Sequence, residues 1–129
     1  MLQLHLTTAW IAILTGFLSG AAIGLFFHKP AFLGGYGSWP RRLLRLAHIA
    51  CFGMAFINLV FAMTLLATGP IPHAGLASPL FLTGTIGMPA TCALAAWKKP
   101  LRNLFPIPVI ALLVASAIAC WGVMQGATP

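Results

Sequence analysis

The sequence contains no aspartate and no glutamate, and only 5% of its 129 residues are charged. Soluble domains carry about a quarter charged residues, so this chain lacks the polar coat that a surface facing water on all sides requires. The missing carboxylates also exclude paired-acid hydrolysis, Ca²⁺ or Mg²⁺ cages and the intramembrane acid of many ion-coupled pumps. Because 60% of the residues are hydrophobic, the composition indicates a protein of the lipid bilayer.

Cysteine is scarce, and its positions predict no reactive centre. Cys51, Cys92 and Cys120 all lie inside apolar runs, which is not the pattern of a disulfide framework or of paired zinc ligands. No Cys-x-x-Cys-His segment occurs, so covalently attached haem is excluded. No Gly-x-Ser-x-Gly segment occurs either, and no acid is present to orient a histidine. The sequence therefore predicts that the chain is not itself an enzyme.

Four apolar runs are each long enough to cross a hydrocarbon core, which takes roughly 20 helical residues. They cover residues 6–27, 43–67, 79–97 and 106–125. The first run is interpreted as a span and not as a signal peptide, because no Lys or Arg precedes it. The runs lack the period-two alternation of barrel strands, and only helices or closed barrels satisfy the backbone in lipid. We expect one all-α domain over residues 1–129.

Short connections rich in Gly and Pro separate the four runs, and such connections join antiparallel neighbours. The expected architecture is a polytopic membrane protein with four transmembrane helices in an up-down bundle. Its seven basic residues all flank the first and third connections: Lys29, Arg41, Arg42, Arg45, Lys98, Lys99 and Arg102. The positive-inside rule then places both termini outside the cell. We expect a multi-pass protein of a bacterial inner membrane.

Small residues predict where the helices meet, since transmembrane helices associate through close packing and polar contacts. Gly16, Gly20 and Gly24 lie at a strict spacing of four along the first span. This ridge faces either the bundle or a partner chain. In the second span Asn58 shares one face with His48, and it is expected to bond to another helix. Pro89 removes a backbone donor from the third span and should bend it there.

The basic residues also predict partners. The chain has seven basic residues and no Asp or Glu, so their negative partners must come from lipids or from other chains. Attraction to anionic lipids contributes about 1 kcal/mol of binding free energy for each Lys or Arg near the membrane surface. The candidate lipid-binding residues are therefore Arg41, Arg42, Arg45, Lys98, Lys99 and Arg102. Acidic neighbouring subunits would supply the charge more specifically. Nucleic acid is not expected, because the bases lie between apolar runs and not on a solvated face.

The histidines leave a cofactor open. His5 and His73 map to the outer side and His28 and His48 to the inner side. A b-type haem held by two imidazoles would take His48 and His28 as axial ligands by depth. For His48 the alternative is a hydrogen-bonded packing role. The sequence does not require a cofactor. Haem b is the cofactor that its histidines could bind.

The architecture, a short four-span chain with no catalytic domain, is similar to that of accessory membrane subunits of bacterial respiratory or photosynthetic complexes. The leading hypothesis is a noncatalytic integral subunit of an electron-transfer complex that packs against larger subunits and lipids. The second is a haem-binding, quinone-linked electron-transfer subunit that uses His48 and His28. A small transporter or channel, with Asn58 and Pro89 along its pathway, is the third.

Overall fold

The computed structural model describes residues 1–26 and 28–126. Within these residues the chain forms four long helices: α1 (Leu2–Leu25), α2 (Trp39–Thr68), α3 (Ala74–Trp97) and α4 (Pro106–Gly126). Two short 3₁₀ segments, Phe32–Gly34 and Lys99–Leu104, lie in the first and third connections. The four long helices carry segments long and apolar enough to cross a membrane, by length and composition. The predicted all-α fold with four candidate membrane spans is confirmed.

Three helices begin earlier than their apolar runs predict: α1 at Leu2 instead of residue 6, α2 at Trp39 instead of residue 43, and α3 at Ala74 instead of residue 79. In α1 and α3 the added turn carries a polar side chain, His5 and Ser78, that a hydropathy pattern assigns to the water side. The two side chains bond to each other within the bundle, so these turns are satisfied without water. The predicted end of the first span at residue 27 lies outside the described residues, as do residues 127–129.

The start of α2 is held by side chains as well as by its backbone. Ser38 caps the helix: its hydroxyl accepts from the backbone N–H of Arg41 at 3.4 Å and donates to the carbonyl of Leu33 at 2.5 Å. The indole Nε1 of Trp39 donates to the carbonyl of Ala95 at 2.9 Å. Because Ala95 lies near the end of α3, this bond places the start of α2 beside the end of α3.

The helices pack in sequence order: α1 against α2, α2 against α3, and α3 against α4. Close approaches at glycine show that α3 and α4 run in opposite directions, because Gly84 faces Leu112 while Gly87 faces Pro108. The most enclosed apolar residues are largely small, and the fully covered ones include Ala62 of α2. Short side chains at these seams let the helix backbones approach closely, as transmembrane packing requires.

Sequential packing leaves a lateral groove on each side of the central α2–α3 pair. The α1/α3 groove has a volume of about 440 Å³ and contains residues of α1 and α3, with Cys51 of α2 between them. The α2/α4 groove has a volume of about 430 Å³ and includes the aromatic rings of Phe56, Phe61 and Phe81. Both are within the size range of ligand sites in proteins, about 300–1,000 Å³.

Candidate functional site

A buried polar cluster joins three helices near the N-terminal end of α1. His5 of α1 is completely enclosed, at 0% exposure, as is Asn58 of α2. The imidazole Nδ1 of His5 lies 2.7 Å from Oδ1 of Asn58, and its Nε2 lies 2.9 Å from the hydroxyl of Ser78 on α3. The amide nitrogen of Asn58 donates to the Thr85 hydroxyl at 2.6 Å. We call these four residues the His5 cluster.

The hydrogen-bond directions in the His5 cluster follow from its donors. The Asn58 Nδ2 donates to the carbonyl of Met54 at 2.8 Å as well as to Thr85, which leaves Oδ1 as the acceptor facing His5. His5 Nδ1 must therefore carry a hydrogen, and in a neutral ring Nε2 accepts from Ser78. Thr85 in turn donates to the carbonyl of Phe81 at 2.7 Å. Every polar side-chain atom of the cluster is thus paired.

The order hydroxyl, imidazole and amide in this cluster resembles that of nucleophilic triads, in which a Ser or Cys, a His and an Asp, Glu or Asn follow one another. Here the groups are enclosed: Ser78 is 6% exposed, and neither His5 nor Ser78 lines either lateral groove. The ring of Phe61 packs edge-on against His5 at 4.7 Å between ring centroids and stands between it and the α2/α4 groove. This arrangement suits a fixed bond between helices better than attack on a substrate.

His48, the first candidate haem ligand, packs against α1. Its Nδ1 lies 2.9 Å from the carbonyl of Gly16 and 3.3 Å from the hydroxyl of Ser19, and its ring meets Phe52 edge-on at 5.3 Å between centroids. An Nδ1–H that donates to a carbonyl leaves Nε2 as the nitrogen with a free lone pair. His28, the second candidate, is exposed beyond the end of α1.

The glycine ridge of α1 faces α2 over part of its length. A side-chain carbon built on Gly16 would lie 2.7 Å from the ring of Phe52, and one built on Gly20 would lie 2.5 Å from the ring of His48. Around Gly24, nothing lies within 4 Å of the same position. The ridge therefore serves the α1–α2 seam at its first two glycines and leaves the third open.

The basic residues gather at one end of the bundle, because the end of α1 lies against the start of α2, and the start of α2 against the end of α3. Arg41 is only 4% exposed, and its guanidinium carbon lies 5.4 Å from the centre of the Tyr36 ring. Arg45 stacks on the same ring at 4.2 Å. Arg42, Lys98, Lys99 and Arg102 are exposed.

Asn58 and Pro89, the two candidate pathway residues, belong to different sites. Asn58 is held by the His5 cluster, whereas Pro89 lines the α1/α3 groove together with Thr85. α3 continues as one helix through Pro89, although proline has no N–H to offer the carbonyl four residues earlier. That carbonyl belongs to Thr85, whose hydroxyl accepts from Asn58 in the His5 cluster and which also lines the groove.

Sequence reasoning placed Asn58 in a bond between helices but did not identify its partners. His5 and Ser78 lie at helix ends by hydropathy, a position that predicts contact with the interface and not with Asn58. The helical spacing of His5 could have predicted its buried position. His5 precedes Ala9, Ala12 and Gly16 on one helix face, and these four are the buried residues of α1. A polar residue on a face of small residues marks an interhelical bond.

Comparisons with protein-family models, with curated proteins and with solved structures gave no match to this chain.

Proposed function

We propose that this chain is a noncatalytic, multi-pass subunit of a bacterial inner-membrane electron-transfer complex, in which it packs against larger subunits and lipids. It would cross the bilayer four times in an up-down bundle, with both termini outside. The gathering of the basic residues at one bundle end supports this orientation, because cationic connections are retained on the cytoplasmic side. The bundle end with Arg42 and Lys99 is then cytoplasmic, and the end with His5 faces outward.

This orientation predicts the result of cysteine labelling in intact cells. Gly37 and Pro72 are both exposed and lie in the first and second connections. With the native cysteines replaced by alanine, a membrane-impermeant maleimide is expected to label Pro72→Cys but not Gly37→Cys. Both variants should react once the membrane is permeabilised, which is the control for reactivity. Labelling of Gly37→Cys in intact cells would contradict the proposed orientation.

The α1/α3 groove is the observation that carries the proposal of a larger complex. Its lining combines hydroxyls, at Thr8 and Thr15, with small or kink-forming residues, at Ala12, Pro89 and Ala90. Small residues and hydroxyls are what transmembrane helices use to approach one another, whereas lipid tails gain nothing from them. The groove therefore suits a helix of a neighbouring subunit.

A substitution that fills the groove tests this proposal. Ala90 is exposed and lines the groove, and Ala117 of α4 is also exposed but lies outside it. Tagged wild-type chain purified in mild detergent is expected to bring larger membrane subunits with it. We expect Ala90→Phe to lose them and Ala117→Phe to keep them, as measured by mass spectrometry of the purified material. A wild-type chain that purifies alone would contradict the proposal.

Haem b binding is the alternative, and the geometry of His48 favours it. Histidines that ligate a metal usually donate their other ring N–H to a carbonyl or carboxylate, as the Nδ1 of His48 can to Gly16. Haem would supply one-electron transfer, with His28 as the second ligand. An absorption spectrum of the tagged chain purified in mild detergent distinguishes haem binding from a subunit without haem. A reduced-minus-oxidised absorption band that disappears in His48→Ala would support haem. A colourless preparation would exclude it.

A further inference from the structure

A groove on the outer face of α2 has the form of a site for a single lipid. It is lined by Trp39, Arg42, Leu43, Arg45, Leu46 and Ile49, with a volume of about 450 Å³. These positions repeat at three- and four-residue steps, so they form one face of the helix. We infer that this face binds one anionic phospholipid, its phosphate at Arg42 and Arg45 and an acyl chain along Leu46 and Ile49. This inference rests on the membrane orientation proposed above.

Charge is the first argument for this occupant. The groove carries two guanidinium groups, and the sequence has no Asp or Glu to neutralise them. Arg45 is already positioned, because its guanidinium stacks on Tyr36 and its Nη2 lies 3.5 Å from the Tyr36 carbonyl. A guanidinium presents paired donors that match the oxygens of a phosphate. Arg42 is exposed and completes the pair.

The length and polarity of the groove are the second argument. Residues 39–49 span about 15 Å along the helix, which is enough for a headgroup at the arginines and the first part of an acyl chain beyond them. The arginines lie toward the start of α2, and Leu46 and Ile49, which are 44% and 61% exposed, lie deeper. The groove therefore passes from cationic to apolar in the same direction as a lipid passes from headgroup to tail.

Trp39 gives this face a fixed upper edge. Its indole N–H is bonded to the carbonyl of Ala95 on α3, so the ring does not need to turn toward water to satisfy its donor. Indole rings favour the membrane interface. The ring lies three residues before Arg42, about 4.5 Å nearer the start of the helix, so it bounds the groove on the headgroup side of the arginines.

The test measures lipid binding to the full-length chain by native mass spectrometry in detergent. Phosphatidylglycerol and phosphatidylcholine with identical acyl chains are the probes, and glycerol 3-phosphate is the soluble competitor. Arg42→Gln/Arg45→Gln is expected to lower the affinity for phosphatidylglycerol by about 30-fold and to remove the preference over phosphatidylcholine. The control, Lys29→Gln, removes one exposed charge at the same bundle end outside the groove and should keep that preference.

Two further variants test the acyl-chain contact and the phosphate contact separately. Ile49→Ser should weaken both lipids equally, because it changes only the acyl surface. The single Arg42→Gln variant leaves Arg45 on Tyr36 and should give part of the full effect. The inference is overturned if the lysine variant loses the preference equally, if the arginine variant keeps it, or if glycerol 3-phosphate displaces the lipid. The measurement uses the isolated chain, so its failure is distinguishable from the failure to find partner subunits.

Discussion

Replacing Asn58 with leucine is expected to lower the free energy of unfolding by about 2–7 kcal/mol. The substitution removes the acceptor of the His5 Nδ1–H and the donor that reaches the Thr85 hydroxyl. His5 is completely enclosed, so its N–H finds no water to replace the amide. A buried donor without a partner costs about 1–3 kcal/mol, and each lost bond between helices adds about 0.6–2 kcal/mol. Unfolding by a denaturing detergent measures the change.

Thr64→Val is the control for the Asn58 variant. The Thr64 hydroxyl also lies on α2, but it bonds only to the carbonyl of Val60 on its own helix. Its removal should change stability by less than about 0.5 kcal/mol, as surface changes generally do. His5→Phe combined with Asn58→Leu should be less harmful than the sum of the two changes, because they remove one shared bond. Additive losses would show that the two side chains are not coupled.

Gly20→Leu is expected to separate α1 from α2 and to cost about 1–3 kcal/mol or more. Even the first carbon of the new side chain would lie 2.5 Å from the His48 ring. His48 cannot move aside without losing its contact with the Gly16 carbonyl. The same detergent unfolding measures the loss, and cysteine crosslinking between the end of α1 and the start of α2 measures the separation.

Gly24→Leu provides a matched control on the same ridge, one turn further along α1. Nothing lies within 4 Å of its added side-chain carbon, so we expect little change in stability. His48→Ala should partly rescue Gly20→Leu by removing the ring that the leucine meets. If Gly20→Leu and Gly24→Leu behaved alike, the glycine ridge would have no special role in the contact between α1 and α2.

Composition and periodicity were sufficient to predict the all-helical fold and the four candidate spans. A span is recognised by the length of its apolar run, which can be counted directly along the sequence. They were also sufficient for the bond from Asn58, since a mid-span amide in hydrocarbon must find a partner. They were insufficient for the helix ends. His5 and Ser78 are polar, and hydropathy assigns polar residues to water even where two of them satisfy each other.

The contacts of each side chain depend on which helices are neighbours, and the spacing of residues in the sequence does not predict those contacts. The glycine ridge illustrates the difference. Spacing alone indicated a face for close approach, but it did not distinguish Gly20, which meets His48, from Gly24, which meets nothing within the chain. Arg41 shows the same gap: it shares its segment with Arg42, yet its side chain is buried and that of Arg42 is exposed.

The bond between His5 and Ser78 has a consequence for biosynthesis. Ser78 follows His5 by 73 residues, and at about 5–20 residues per second the ribosome needs roughly 4–15 s to make that stretch. During this interval the imidazole of the first helix has no hydroxyl to bond to. The bond between His5 and Ser78 therefore forms only after the third helix has been synthesised.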